Sequence, residues 1–86
     1  MIHDSAIAAR LRGLALSDTG FLFDPATGHT YTLNRTGVEL LKFLRDGAAE
    51  SELAARLAER YEVDPAAAEG DCAVFLRQLR ENRLID

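Results

Sequence analysis

Residues 21–34 read FLFDPATGHTYTLN, and this stretch predicts a β-hairpin on which the rest of the fold is built. Residues 29–33 alternate threonines with larger side chains, which is the period-two pattern of a strand with one buried face. Residues 24–28 have turn chemistry, because Asp suits the first turn position, Pro presets φ at the next, and Gly tolerates a positive φ. The sequence therefore predicts two antiparallel strands, residues 21–23 and 29–33, joined by a tight turn.

The segments outside the hairpin predict one more strand and three helices. The predicted elements are a weak strand at residues 14–17 and helices over residues 35–46, 50–61 and 65–82. Asn34 and Asp64 are natural N-caps, because their side-chain oxygens accept a hydrogen bond from the first helical turn. Gly47 is a C-terminal stop. Strands followed by helices are typical of an α+β fold.

Apolar side chains at helical spacing predict the core. They are Val38, Leu41 and Leu44 in the first helix, Leu53, Leu57 and Tyr61 in the second, and Ala68, Cys72, Phe75, Leu76 and Leu79 in the third. The last two apolar residues, Leu84 and Ile85, are expected to fold back onto this core.

The 86 residues are 48% hydrophobic and 28% charged with a net charge of −4, which is a globular composition for one domain. The single cysteine cannot form an internal disulfide, which fits a reducing cytosol. No run of about 18 apolar residues is present to span a membrane. The first residues lack the basic and apolar regions of a secretory signal. We therefore expect a cytoplasmic protein without a membrane partner.

Few residues offer catalytic or metal-binding chemistry. His3, His29 and Cys72 are the soft ligands of the chain, and their spacing matches no zinc site. A Cys–His nucleophile requires the fold to bring His29 to Cys72, whereas a lone cysteine is most often a small core residue. The chain also lacks a glycine-rich phosphate loop. The sequence therefore predicts no catalytic residue, no metal and no cofactor, and we do not expect an enzyme.

A winged-helix DNA-binding module is the main alternative, because two helices joined by residues 62–64 would lie beside a small sheet. The charges argue against DNA, since the chain has 10 basic and 14 acidic residues and phosphate binding needs Lys and Arg. The would-be recognition helix begins with Asp64, Glu69 and Asp71, where it should meet the bases. We therefore expect no nucleic-acid partner, and a winged-helix DNA-binding or protein-interaction module stays as the alternative.

Residues 29–33 form the strand most suited to bind another strand. They contain neither proline nor Lys, Arg, Asp or Glu, the residues that usually protect a sheet edge. One interpretation is that another segment of the chain covers this strand. The other is that the edge stays open and an extended peptide adds to it. An open edge also leaves both a monomer and an edge-paired or domain-swapped dimer as alternatives.

An ordered set of short motifs runs through residues 14–86. The motifs are FLFDPATG at 21–28, YTLN at 31–34, EL at 52–53, YEVDP at 61–65, Asp71, FL at 75–76, Leu79 and LI at 84–85. Together they resemble the PqqD-like family, which comprises the peptide chaperone of pyrroloquinoline quinone biosynthesis and related recognition elements for ribosomally made, modified peptides. The resemblance implies a winged-helix-like fold, a small three-stranded antiparallel sheet followed by three helices. It does not identify the pathway or the peptide.

The resemblance implies peptide binding rather than catalysis. Family members bind the leader of a precursor peptide as an added strand between the third strand and the third helix. They present it to a modifying enzyme, often a radical SAM enzyme. Carried over by position, the strand is His29, Thr30, Tyr31, Thr32 and Leu33, and the third helix is residues 65–82. At about 100° per residue, one stripe of this helix holds Asp71, Phe75, Gln78 and Asn82, which we predict to be the groove wall. Phe75 and Leu79 are the predicted apolar floor. Two alternatives stay open: the groove wall is instead the flank with Ala73, Leu76 and Arg80, and Phe75 is plain core, groove floor or both.

The resemblance also sets the expected domain division. Residues 1–13 do not align with the family and are predicted to be an N-terminal extension, with a short helix over residues 4–11 capped by Asp4 or Ser5. Residues 14–86 are the predicted peptide-recognition domain. Relatives commonly begin the second helix with Thr or Ser where this chain has Ala49, so Ser51 is an alternative start.

Overall fold

The computed structural model describes residues 2–85, with side chains described for residues 7–85. The elements are α1 (Ile2–Arg12), β1 (Ala15–Leu16), β2 (Phe21–Phe23), β3 (Thr30–Thr32), α2 (Arg35–Arg45), a 3-10 turn (Glu50–Glu52), α3 (Leu53–Tyr61) and α4 (Pro65–Glu81). The strands form one antiparallel sheet in the order β1-β2-β3. The expected α+β fold, a three-stranded sheet followed by three helices, is confirmed, and α1 precedes the sheet.

Strand β2 is the centre of the sheet, so β3 lies at one edge. Leu22 of β2 pairs with Tyr31 of β3. Both side chains pack on the core side of the sheet, where Leu22 is fully buried. The Leu33 N–H donates to the Gly20 carbonyl at 2.8 Å and extends the pairing of β2 with β3. Gly20 has a φ of 93°, and a Cβ there would collide with the Leu33 carbonyl, so this approach of the two backbones requires glycine.

The hairpin turn is held by Asp24, which is only 2% exposed. Its Oδ1 accepts a hydrogen bond from the Ala26 N–H at 3.0 Å, and its Oδ2 accepts one from Arg10 of α1 at 3.3 Å. Burial alone would raise the pKa of Asp24, but the Ala26 N–H and the Arg10 guanidinium outweigh burial, so the pKa lies below its usual value. Gly28 closes the turn with a φ of 79° and open space around it. The ionised Asp24 therefore ties α1 to the turn that carries β3.

Two helix starts are capped by the side chains that the sequence predicts, and at the third a different side chain accepts the hydrogen bond. The side chains of Asn34 and Asp64 each accept a hydrogen bond from a backbone N–H of the first turn, at 2.7 and 3.4 Å. Ala49 has no side-chain oxygen, and the Oε1 of Glu52 accepts the Ala49 N–H at 2.8 Å instead. The chain then passes through the 3-10 turn, and α3 itself begins at Leu53.

The core lies between the sheet and the helices. Its buried members are Leu11, Leu14, Leu22, Leu40, Leu41, Leu44, Ala48, Leu53, Leu57, Ala68, Cys72, Phe75, Leu79, Leu84 and Ile85. The predicted return of Leu84 and Ile85 onto the core is confirmed, since they are 2% and 6% exposed.

Three predicted core residues lie nearer the surface. The buried face of α2 is formed by Gly37, Leu40, Leu41 and Leu44. This face is centred one residue away from the predicted one, so Val38 is only half-buried. Tyr61 is 39% exposed because α3 ends there, with Glu62 in the left-handed conformation, and its ring lies 5.9 Å from the Arg60 guanidinium. Leu76 is half-buried against the core.

The N-terminal helix packs into the same core. Helix α1 extends beyond the predicted residues 4–11, and its Leu11 is fully buried among the core residues. The caps predicted at Asp4 and Ser5 lie outside the residues whose side chains are described, and the domain division after residue 13 stays a prediction. Over residues 2–85, no helix combines the length and the apolar character needed to cross a bilayer.

Candidate functional site

A surface cleft runs along the edge of β3, with α4 as its opposite wall. It consists of three adjoining open cavities of about 410, 370 and 710 Å³, here the first, middle and distal cavities. The first lies between Thr32 and Asp71, the middle one between Tyr31 and Leu79, and the distal one between Thr30 and Arg83. Strand β3 and helix α4 therefore run in opposite directions along the cleft.

The outer edge of β3 carries backbone groups that point away from the sheet. The Leu33 N–H donates to Gly20, and the His29 carbonyl accepts from Asp24, so both residues bond to the β2 side. Bonded and non-bonded positions alternate in an antiparallel pair. Thr30 and Thr32 therefore direct their N–H and C=O groups outward, toward the cleft. Within residues 2–85, no further strand pairs with this edge.

The floor of the cleft is apolar. Phe75 and Leu79 are 5% and 3% exposed and belong to the core, yet both line the middle cavity. Tyr31 and Leu33 are half-buried and complete the floor from the strand side. Phe75 is therefore core and floor at once.

One flank of α4 forms the helical wall of the cleft. Asp71, Gln78 and Asn82 are exposed on this side, and the Asn82 amide also donates to the Gln78 carbonyl at 2.8 Å. The opposite flank faces the 3-10 turn, where Arg80 donates hydrogen bonds of 2.7 and 2.9 Å to Glu50. The flank with Asp71 therefore lines the cleft, and the flank with Arg80 does not.

All the residues that the sequence predicts for peptide binding line the cleft. They are His29, Thr30, Tyr31, Thr32, Leu33, Asp71, Phe75, Gln78, Leu79 and Asn82. The fold thus brings together two segments about 40 residues apart in the sequence. Their contact with a peptide stays a prediction.

Val74 and Arg83 also line the cleft, and neither is among the residues predicted from the sequence. Val74 is 45% exposed in the first cavity. It follows Asp71 by three residues and precedes Gln78 by four, so helical periodicity already indicates this wall. Arg83 lies beyond the end of α4 with a φ of 58°, a conformation that its residue type does not indicate.

The cleft brings no nucleophile and base together among the described side chains. His29 is exposed, and its ring lies edge-on to Tyr31 with 6.4 Å between centroids. Cys72 is buried in the core as predicted, where burial and then the Asp71 carboxylate raise the pKa of its thiol. Residues 7–85 hold no group of three or more side chains placed to bind a metal, and His3 lies outside the described side chains.

The chain is similar to one protein family and to a solved structure. Residues 19–85 match the family model described as Coenzyme PQQ synthesis protein D (PqqD). The solved structure is described as "Lasso peptide synthetase B1 complexed with the leader peptide". It is 34% identical to this chain, with a TM-score of 0.67, and the match covers 80% of this chain and 82% of that chain. No curated protein sequence matches the chain.

Proposed function

Because the chain belongs to the PqqD family, we propose that it binds the leader of a ribosomally made precursor peptide and presents that peptide to a modifying enzyme. The observation that carries this proposal is the open β3 edge beside an apolar floor, with α4 as the second wall. The similar lasso peptide synthetase B1 structure contains a leader peptide, which supports the same class of ligand. Neither comparison favours the DNA-binding alternative.

The proposed binding mode is strand addition at the β3 edge. An extended leader segment pairs its backbone with the outward N–H and C=O groups of Thr30 and Thr32, a mode that uses the peptide backbone for affinity. Side chains alternate along a strand, so every second peptide side chain points into the cleft toward Phe75 and Leu79. The cleft therefore favours leaders with apolar side chains at alternate positions.

The wall formed by α4 adds polar contacts to this mode. Gln78 is exposed beside both the first and the middle cavity, and its amide can donate as well as accept hydrogen bonds. In our proposal it bonds to the backbone edge of the peptide that faces away from β3. Asp71 lies at the end of the first cavity and is available to a peptide N–H or a basic side chain.

The protein acts by recruitment and is not itself the catalyst in this proposal. Holding the leader raises the effective concentration of the rest of the precursor at the partner enzyme. We propose that this enzyme is of the radical SAM type and that the protein described here is cytoplasmic. A single added strand buries little surface, so we expect modest affinity unless the enzyme contributes contacts. A second copy of the chain would compete for the same edge, so we expect the peptide-bound form to be a monomer.

Backbone amide shifts of the isotope-labelled protein test the proposal. The protein is titrated with leader peptides taken from short reading frames beside its gene, and with scrambled peptides of the same composition as controls. We expect shifts concentrated at residues 29–33 and 71–82 with a leader and none with its scrambled control. A folded sample that responds to no leader, or shifts confined to other surfaces, would overturn the proposal.

A further inference from the structure

Arg83 occupies a backbone position that usually belongs to glycine. Helix α4 ends in a pair of hydrogen bonds, from the Leu84 N–H to the Leu79 carbonyl at 2.8 Å and from the Arg83 N–H to the Arg80 carbonyl at 3.0 Å. These two hydrogen bonds form a Schellman motif, in which the residue just after the helix C-cap, here Arg83, is left-handed. Arg83 has a φ of 58°, which is unfavourable for a residue with a Cβ. Glu62 is left-handed at the end of α3 as well, so the argument for Arg83 rests on what surrounds its side chain.

The surroundings of Arg83 leave its guanidinium available to a ligand. Its side chain is exposed and lines the distal cavity across from Gly28, His29 and Thr30. It forms no ion pair with any side chain of residues 7–85, whereas the Arg10 guanidinium is paired with Asp24. A guanidinium presents several N–H donors in a planar fork that matches a carboxylate.

The two ends of the cleft differ in charge. Asp71 is exposed in the first cavity and forms no ion pair among the described side chains. The distal cavity holds Arg83 together with Glu81, so a ligand carboxylate must approach the guanidinium and avoid the Glu81 carboxylate. An acidic side chain of a bound peptide is therefore attracted beside Arg83 in the distal cavity and repelled beside Asp71 in the first cavity.

We propose that Arg83 is a specificity residue that selects leaders carrying an Asp or Glu side chain where the added strand passes residues 28–30. This inference rests on the proposed function, because the acidic side chain must belong to a strand bound at the β3 edge. The peptide carboxylate accepts hydrogen bonds from the Arg83 guanidinium. The same side chain placed near Asp71 weakens binding.

Selection from a phage-displayed library of short random peptides tests this specificity. The wild-type protein and Arg83→Gln are used in parallel, and Arg83→Lys is the conservative variant that keeps the charge. We expect the wild type to enrich apolar residues at alternate positions and Asp or Glu at one further position. Arg83→Gln should keep the apolar preference and lose the acidic one, and Arg83→Lys should keep part of it.

Synthetic peptides from the selection make the pairing quantitative. Replacing the selected Glu by Gln in the peptide, or Arg83 by Gln in the protein, should each raise Kd roughly threefold to tenfold at low salt. Making both changes together should cost no more than either one, because both remove the same interaction.

A pair of variants separates the effect of the guanidinium charge from the effect of the left-handed backbone at residue 83. Arg83→Gly and Arg83→Ala both remove the guanidinium, so both should lose the acidic preference equally. Arg83→Gly also relieves the left-handed strain and should melt about 4 to 8 °C above Arg83→Ala. A preference that persists in either variant would overturn the inference.

The failure of this inference is distinguishable from failure of the proposed function. Equal acidic enrichment by the wild type and by Arg83→Gln overturns the role of Arg83 and leaves peptide binding intact. Enrichment of no peptide by the folded wild type overturns the proposed function, and the specificity of Arg83 falls with it.

Discussion

The two flanks of α4 differ in what they contact. On one flank, Leu76 packs against the core, and Arg80 holds Glu50 with two hydrogen bonds. On the other flank, Asp71, Val74 and Gln78 are exposed and line the cleft. A helix fixed along one side can present the other as a rigid wall, so little ordering is needed when a ligand binds. The flank with Leu76 and Arg80 therefore stabilises the fold, and we propose that the flank with Asp71, Val74 and Gln78 binds the leader.

Phe75 lies between the two flanks, and its truncation should produce the largest effect. We expect Phe75→Ala to lower the free energy of unfolding by about 3 to 5 kcal/mol, because a buried ring leaves a cavity. Urea denaturation followed by circular dichroism measures this loss. Phe75→Leu is the matched control and should cost about 1 kcal/mol or slightly more. Unchanged stability in Phe75→Ala would show that the ring is not part of the core.

Thr32→Pro tests the strand side of the cleft. Proline removes the outward N–H of the β3 edge and blocks strand addition, so we expect the Kd for the leader to rise roughly tenfold or more. Thr32→Val keeps the N–H and should bind nearly as the wild type does. Calorimetric titration of both variants measures the difference. If Thr32→Pro binds normally while folded, the peptide does not use this edge.

A pair of substitutions on α4 tests whether one flank binds the leader while the other stabilises the fold. Val74→Asp places a charge in the first cavity and should weaken leader binding, while the free energy of unfolding stays within about 0.5 kcal/mol. Arg80→Ala removes an exposed ion pair and should lower stability by about 0.2 to 1 kcal/mol without changing leader affinity. Thermal melts and peptide titrations on both variants measure the two effects. If Arg80→Ala weakens leader binding and Val74→Asp does not, the binding flank is the one with Arg80.

The smallest expected effect concerns Asp24, which holds the turn that carries β3. The pKa of Asp24 is lowered in the folded protein, so its ionised form stabilises the fold at neutral pH. That contribution is lost as the pH falls from about 4, the unfolded value, through the lower folded pKa. Asp24→Asn should be slightly less stable at pH 7 and should lose less stability on acidification.

Thermal melts between neutral and acidic pH check the Asp24 prediction. Asp18→Asn is the matched control, because Asp18 is an exposed carboxylate near the same hairpin. The two variants should differ most at neutral pH and converge in acid. Parallel curves for Asp24→Asn and the wild type would show that the ionised carboxylate, with its contacts to the Ala26 N–H and Arg10, does not stabilise the fold.

Local signals predicted much of the fold. The hairpin follows from period-two alternation and a turn sequence, and the starts of α2 and α4 follow from Asn34 and Asp64. These features depend on neighbouring residues alone. Apolar spacing predicts burial less well at helix ends. Tyr61 fits the apolar spacing of α3 but is its last residue and stays exposed.

The candidate site needed the tertiary structure for two reasons. Both flanks of α4 border its buried face, so helical periodicity alone cannot decide which one faces β3. The tertiary structure answers this, because Arg80 pairs with Glu50 on the side of α4 that faces away from the cleft. The place of Arg83 in the cleft depends on the left-handed end of α4, and arginine is not a residue type that predicts this conformation.

Two glycines of the hairpin region differ in which other amino acids can replace them. Gly20 and Gly28 both have a positive φ, but only at Gly20 would a Cβ strike backbone, at the Leu33 carbonyl. In a saturation library screened for folded protein, Gly20 should accept no replacement, whereas Gly28 should accept Asn and Asp, which tolerate this conformation. Gly20 is therefore the more reliable marker in searches for distant relatives of this chain.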